Sequence, residues 1–160
     1  MTIRKTRLAF ISAHLAAHEG LNYYLRRNHD IRSILDGGKM KHHDASLTNH
    51  HCFIFGDLNY RLRYPSTHAE PERAANLAAK YVREQNFKEL NTFDELRDGL
   101  NKQEVMAGFV TPPCLFPPTF KVERGAGFKY QPQRSPRKTE TTTYSHYSLF
   151  NFNFCTFFVF

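Results

Sequence analysis

The string Phe53-Ile54-Phe55-Gly56-Asp57-Leu58-Asn59-Tyr60-Arg61 joins an apolar run to an acid and an amide two residues apart. A carboxylate and a carboxamide on one face can hold an activated or metal-bound water beside a phosphoryl group. If the chain stays extended beyond Gly56, Asp57 and Asn59 point to one side and Leu58 to the other, into a core. The competing arrangement is an Asx-type turn, in which Asp57 and Asn59 cap backbone N–H groups where a strand ends. These residue types suit both. Gly56 permits close approach to the backbone at that point. Farther on, Lys121, Arg124, Lys129, Tyr130 and Arg134 stand among prolines and glycines. They are suited either to face a phosphate or to form a solvated basic loop. Two histidine pairs, His42-His43 and His50-His51, lack the HExxH spacing or thiolate set of a zinc site and read as polar loop.

The elements that must position these groups follow from periodicity. Phe53, Ile54 and Phe55 suit a strand buried in a sheet, running from about residue 52 to 55. The earlier run Leu8-Ala9-Phe10-Ile11-Ser12 predicts a core strand that delivers His14 near the end of the sheet. Between them, Leu21, Tyr24, Leu25, Asn28, Ile31 and Leu35 recur at helical spacing and predict a helix over 18–35, closed by Gly37-Gly38. Arg26, Arg27, Asp30 and Arg32 fall on its remaining surface. Residues 39–49 read as a loop, and 62–68, with Pro65-Ser66-Thr67, as a connection with a turn. Glu70-Pro71-Glu72 opens a helix whose stripe is Ala74, Leu77, Ala78, Tyr81 and Val82. Asn91-Thr92-Phe93-Asp94-Glu95-Leu96 reads as the capped start of another short helix, interrupted at Gly99. Beyond Met106-Ala107-Gly108-Phe109-Val110 the prolines and glycines preclude long regular elements.

Composition narrows the partner more than the reaction. The 160-residue chain is long enough for one ordinary core, and its net charge of +7 favours an anionic partner. No lysine-arginine tract or zinc-finger spacing marks a nucleic-acid module. Cys52, Cys114 and Cys155 form no close motif and read as intracellular thiols. No apolar run reaches the length of a spanning helix, and no signal peptide opens the chain. Phe150, Phe152 and Phe154 alternate with asparagines in a strand-like pattern, and Phe157-Phe158-Val159-Phe160 is apolar on both faces.

Several segments together resemble the inositol polyphosphate 5-phosphatases. They are Ser12-Ala13-His14-Leu15-Ala16-Ala17, Arg27-Asn28-His29-Asp30, Phe55-Gly56-Asp57-Leu58-Asn59-Tyr60-Arg61, Met106-Ala107-Gly108-Phe109 and Pro118-Thr119-Phe120-Lys121. The resemblance covers roughly residues 8 to 136. It implies an α/β fold, an incomplete two-sheet sandwich of the DNase I-like (endonuclease/exonuclease/phosphatase) type. Residues 1–136 would be the central part of the catalytic domain, and residues 137–160 a divergent Phe-rich tail outside it. It also implies Mg²⁺-dependent hydrolysis of the 5-phosphate of phosphoinositides or soluble inositol polyphosphates. On that resemblance His14 contacts the scissile phosphate, Asp57 positions and activates the attacking water, and Asn59 stabilises the transferring phosphoryl group. Arg61 and Lys121 lie in the basic surroundings of the substrate, with Tyr130 and Arg134 as looser matches. A cytoplasmic protein in peripheral contact with anionic membrane, with no nucleic-acid partner, is what the family implies.

The chain also departs from that family. The asparagine and glutamate that serve the metal side lie ahead of the histidine there, and have no counterpart before His14. Ser135-Pro136-Arg137-Lys138 stands where a Pro-Ser-(Trp or Tyr)-x-Asp-Arg signature should begin. His146 follows Ser145 but has no aspartate beside it. The expectation is therefore the middle of a phosphatase domain, set apart by truncation or an incorrect gene model, and without turnover in isolation. Two alternatives share the sequence features: a nuclease of the same superfamily, and a non-catalytic remnant that binds anionic lipid or protein.

Overall fold

The computed structural model describes residues 1–38, 43–63 and 71–118, with the two-residue strand Phe158–Val159. Its centre is a parallel pair, β2 (Thr6–His14) and β3 (His51–Asp57), preceded by a short β1 (Thr2–Ile3). The β1–β2 hairpin, which the sequence pattern did not signal, turns at Arg4 with φ 55°. β2 and β3 pair from Leu8 opposite His51 to His14 opposite Asp57. Parallel strands need a crossover. Here it comprises α1 (Leu21–Gly37) and α2 (Ala45–Thr48), the latter inside the segment expected to be loop. Asp44 starts α2 by accepting the N–H groups of Ser46 and Leu47.

Register sorts the side chains of this sheet. Cys52 and Ile54 are wholly buried on the core side, with Ala13 beside them. Phe10 and Phe53, paired across the strands, stack at 5.1 Å on the opposite side, where Phe10 is exposed. His14 and Asp57 share that second side, because pleat period and parallel register keep paired residues together.

The helix after β2 starts three residues later than expected, and its buried stripe is rotated. Tyr24, Arg27, Ile31 and Leu35 are buried, whereas Leu21 and Leu25 are exposed. Arg27, expected on the surface, is the correction that matters for the site.

After β3 the chain forms α3 (Pro71–Arg83), α4 (Phe87–Thr92) and α5 (Glu95–Asn101). The α3 stripe is as expected: Ala74, Ala78 and Val82 are buried, with Leu77 and Tyr81 packed against them. Asp94 caps α5 by accepting from the N–H groups of Leu96 and Arg97. Gly99 does not interrupt α5; it lies buried within it, where a Cβ would come 2.6 Å from the Tyr24 hydroxyl. A second, two-stranded sheet pairs β4 (Phe109–Val110) with β5 (Phe158–Val159) in antiparallel register. The fold is thus α/β with two partial sheets. No helix among the described residues is long and apolar enough to cross a membrane.

Candidate active site

His14 and Asp57 close the β2–β3 register at the carboxyl ends of the two strands. Loops at that end of a parallel pair are where open α/β sheets collect ligands. His14 Nε2 stands 3.7 Å from Asp57 Oδ2, with the imidazole largely exposed and the carboxylate about one-third exposed. The strands come this close because of Gly56, whose φ is 122°. A Cβ there would lie 2.1 Å from the Ala13 carbonyl oxygen. The close approach expected at Gly56 is therefore made by the neighbouring strand.

The chain turns immediately after Asp57. Asn59 has φ 57°, in the left-handed region that Asn tolerates better than most residues. Its N–H donates to Asp57 Oδ1 at 3.0 Å, which is the Asx-type turn. The two side chains do not alternate along an extended strand. The turn nonetheless builds a site, because it buries the Asn59 amide. Asn59 Nδ2 donates to the Leu15 carbonyl at 2.9 Å, while Oδ1, also buried, finds no partner among the described residues. Leu58 enters the core, as expected of an extended chain, although the chain turns here.

Arg61 follows at 3 % exposure. Its Nε donates to the Asn59 carbonyl at 3.0 Å, and Nη1 lies 3.8 Å from Glu19 Oε1. Neither Nη1 nor Nη2 makes a hydrogen bond among the described residues. Buried donors without acceptors are costly, and a guanidinium so placed attracts an anion. Lys121, Tyr130 and Arg134, together with Arg124 and Lys129, lie outside the described residues.

Two residues not anticipated from the sequence hold this end of the sheet together. Arg27 Nη2 pairs with Glu95 Oε2 at 2.8 Å, and both residues are buried. Glu95 also accepts from the Arg61 N–H at 3.2 Å and from Arg63 Nη2 at 2.9 Å. Burial outweighs the two guanidinium groups and holds the Glu95 carboxyl above its ordinary range. Tyr60 donates its hydroxyl to Asn28 Oδ1 at 2.7 Å, and burial pushes that phenol well above its usual range. The available signal for Arg27 was its spacing: it lies three residues after Tyr24 and four before Ile31, on the apolar stripe itself. Of the histidine pairs, His50 Nδ1 accepts the Arg7 N–H at 2.9 Å, a structural use. No group of three or more His, Cys, Asp or Glu suited to a metal occurs among the described residues.

Residues 1–154 match the Endonuclease/Exonuclease/phosphatase family 2. The chain is 34 % identical over 126 residues to phosphatidylinositol 3,4,5-trisphosphate 5-phosphatase 2B of Danio rerio, covering 76 % of this chain and 9 % of that protein. It is 32 % identical over 143 residues to polyphosphatidylinositol phosphatase INP53 of Saccharomyces cerevisiae, covering 87 % of this chain and 12 % of that protein. The chain thus spans about a tenth of the length of these curated relatives. Among solved structures, the inositol polyphosphate 5-phosphatase domain of SPsynaptojanin, in complex with inositol (1,4)-bisphosphate and calcium, superposes with TM-score 0.69 at 24 % identity. That match covers 96 % of this chain and 39 % of the other. It establishes the DNase I-like fold. The chain belongs to Endonuclease/Exonuclease/phosphatase family 2, as a partial domain of the inositol polyphosphate 5-phosphatase kind.

Proposed function

We propose that His14, Asp57, Asn59 and Arg61 serve the Mg²⁺-dependent hydrolysis of the 5-phosphate of a phosphoinositide or a soluble inositol polyphosphate. The observation that carries this reading is the register pair His14–Asp57, 3.7 Å apart where two parallel strands end, with buried Asn59 and Arg61 beside it. The names of the Danio and yeast relatives, a 5-phosphatase and a polyphosphatidylinositol phosphatase, support the substrate class. The net charge of +7 suits it as well.

The donor chemistry fits the ion. Mg²⁺ takes one or two carboxylates and completes its shell with water and substrate phosphate. The Asp57 carboxylate and Asn59 Oδ1, which has no partner among the described residues, are hard oxygen atoms of that type, and would hold it directly or through its waters. When bound, the ion supplies positive charge to the non-bridging phosphate oxygens.

The protein's own groups do the rest. The Asn59 N–H fixes Asp57 Oδ1, leaving Oδ2 to accept a hydrogen bond from the attacking water and align it opposite the leaving inositol oxygen. His14, largely exposed, donates to a non-bridging oxygen of the phosphate. The second N–H of Asn59 Nδ2, not used by Leu15, is in this reading the donor to the charge that spreads over the transferring phosphoryl group. The terminal nitrogens of Arg61, with Nη1 3.8 Å from Glu19 Oε1, are in this reading donors to the substrate's phosphates. Lys121, Tyr130 and Arg134 complete the substrate contacts in this proposal.

The test is phosphate release by the full chain from inositol 1,4,5-trisphosphate and from phosphatidylinositol 4,5-bisphosphate vesicles, with and without Mg²⁺. The departures from the family pattern predict no turnover by the isolated chain; Mg²⁺-dependent release that Asp57→Ala lowers by about 100-fold or more would overturn that expectation and support the site. Release insensitive to Asp57→Ala, or cleavage of plasmid DNA in its place, overturns the reading. The same assay decides whether the isolated chain turns over.

A further inference from the structure

We propose that Arg27 and Glu95 are positioning residues: a buried clamp that fixes the loop after β2 against the loop after β3, and so sets His14 against Asp57 and Asn59. The inference rests on the function proposed above for those three residues. Arg27 is fully buried, and its planar fork reaches three acceptors. Nη1 donates to the carbonyl oxygens of Ala16 at 3.2 Å and His18 at 2.9 Å, both in the loop that follows His14. Nη2 donates to Glu95 Oε2 at 2.8 Å.

Glu95 carries the connection to the other loop. Its Oε2 accepts the Arg61 N–H at 3.2 Å, and its own N–H donates to the Arg61 carbonyl at 3.0 Å. The Arg27 guanidinium also lies over the Tyr60 ring, 5.3 Å from its centroid. The ion pair therefore ties the carbonyls of Ala16 and His18 to the Arg61 N–H, and the Glu95 backbone N–H holds the Arg61 carbonyl.

A stability role alone accounts poorly for this arrangement. Apolar residues of similar volume commonly stabilise a core as well as a buried ion pair does. What they cannot supply is a fixed geometry among those backbone groups. Lysine cannot supply it either, because an ammonium is a point charge without the fork.

The experiment uses the full chain, with Arg27→Lys and the isosteric Glu95→Gln. Amide hydrogen exchange by NMR is read at Leu15, whose N–H donates to the Asp57 carbonyl at 2.9 Å, and at Glu95. Ile11, mid-ladder in the β2–β3 pairing with its N–H on the same side of β2 as that of Leu15, reports global opening. The expected result is exchange at Leu15 and Glu95 that quickens by about tenfold or more relative to Ile11. Hydrolysis of inositol 1,4,5-trisphosphate with Mg²⁺ should lose about tenfold or more in kcat, with KM changed less than about threefold. An unchanged Leu15-to-Ile11 exchange ratio in the variants overturns the clamp. If Arg27→Lys does not fold, Glu95→Gln decides alone. If release proves insensitive to Asp57→Ala, the functional reading falls while the exchange ratio still decides the clamp.

Discussion

Asn59 occupies the left-handed backbone region because Asp57 takes its N–H, and that turn directs its amide inward to the Leu15 carbonyl. From the sequence, a turn and a chemical site were competing accounts of the same residues. They are compatible: the turn consumes one oxygen of Asp57 and leaves the other beside His14. His14 and Asp57 were legible because each ends an apolar run, and two strands in parallel register bring such ends together. Arg27 was not, since a charged side chain is assigned to the surface unless its partner is known. That partner, Glu95, lies 68 residues away in sequence. Gly56 yields the sharpest prediction at this scale. With φ 122° and the Ala13 carbonyl oxygen 2.1 Å from any Cβ, Gly56→Ala forces β3 away from β2. It should cost about 3 kcal/mol or more in urea unfolding, since backbone strain and steric overlap act together. A loss below about 1 kcal/mol would contradict the close approach.

The helices show how propensity and packing divide the work. α1 follows Gly20, which offers no side-chain cap, and has no acid in its first turn. Its place is set instead by what it buries, Tyr24, Ile31 and Leu35 together with the Arg27 clamp. Sequence periodicity found the helix but put Leu21 and Leu25 on the buried face, because hydrophobicity alone cannot rank a leucine below an arginine that has a buried partner. α5 shows the reverse error. Gly99 reads as a breaker, yet Asp94 supplies the cap and the helix runs through the glycine. The glycine is there for contact: a Cβ would lie 2.6 Å from the Tyr24 hydroxyl and 2.9 Å from Val105 Cγ1. Gly99→Ala gains up to about 1 kcal/mol of helix propensity. Overpacking of α5 against α1 costs about 1–3 kcal/mol, so the net effect should be destabilising. Equal or higher stability in urea unfolding would mean that Tyr24 yields cheaply.

At the scale of the whole molecule, the apolar residues form two clusters. One lies under the sheet and includes Cys52, Ile54 and Leu58; the other joins α3 and α4 through Ala78, Val82 and Leu90. Local sequence patterns predicted some members of each, among them Ile54, Leu58, Ala78 and Val82, but their junction is built from backbone. Arg63 N–H donates to the Phe93 carbonyl at 2.7 Å, and Glu95 N–H to the Arg61 carbonyl at 3.0 Å, around the Leu62–Asp94 bridge. Backbone pairing between segments so far apart leaves no mark in side-chain periodicity. If this junction couples the clusters, they unfold together, and two buried thiols can report it. Cys52 lies in the first cluster. Cys114 is fastened to α4, with its N–H donating to Asn91 Oδ1 and its carbonyl accepting from Asn91 Nδ2. With Cys155 replaced by serine, iodoacetamide at pH 8 should label Cys52 and Cys114 at rates that rise in parallel with urea. Labelling of Cys114 about tenfold faster than Cys52 in native buffer, corrected for intrinsic reactivity, would show separate opening. Burial pushes the Cys52 thiol up to about 11 from 9.0, so the sign of its pH effect is fixed. Its stabilising contribution is complete below pH 9 and is lost as pH rises from there to about 11, because the unfolded thiol ionises first. The loss is at most about 3 kcal/mol, and Cys52→Ala should flatten that part of the stability profile.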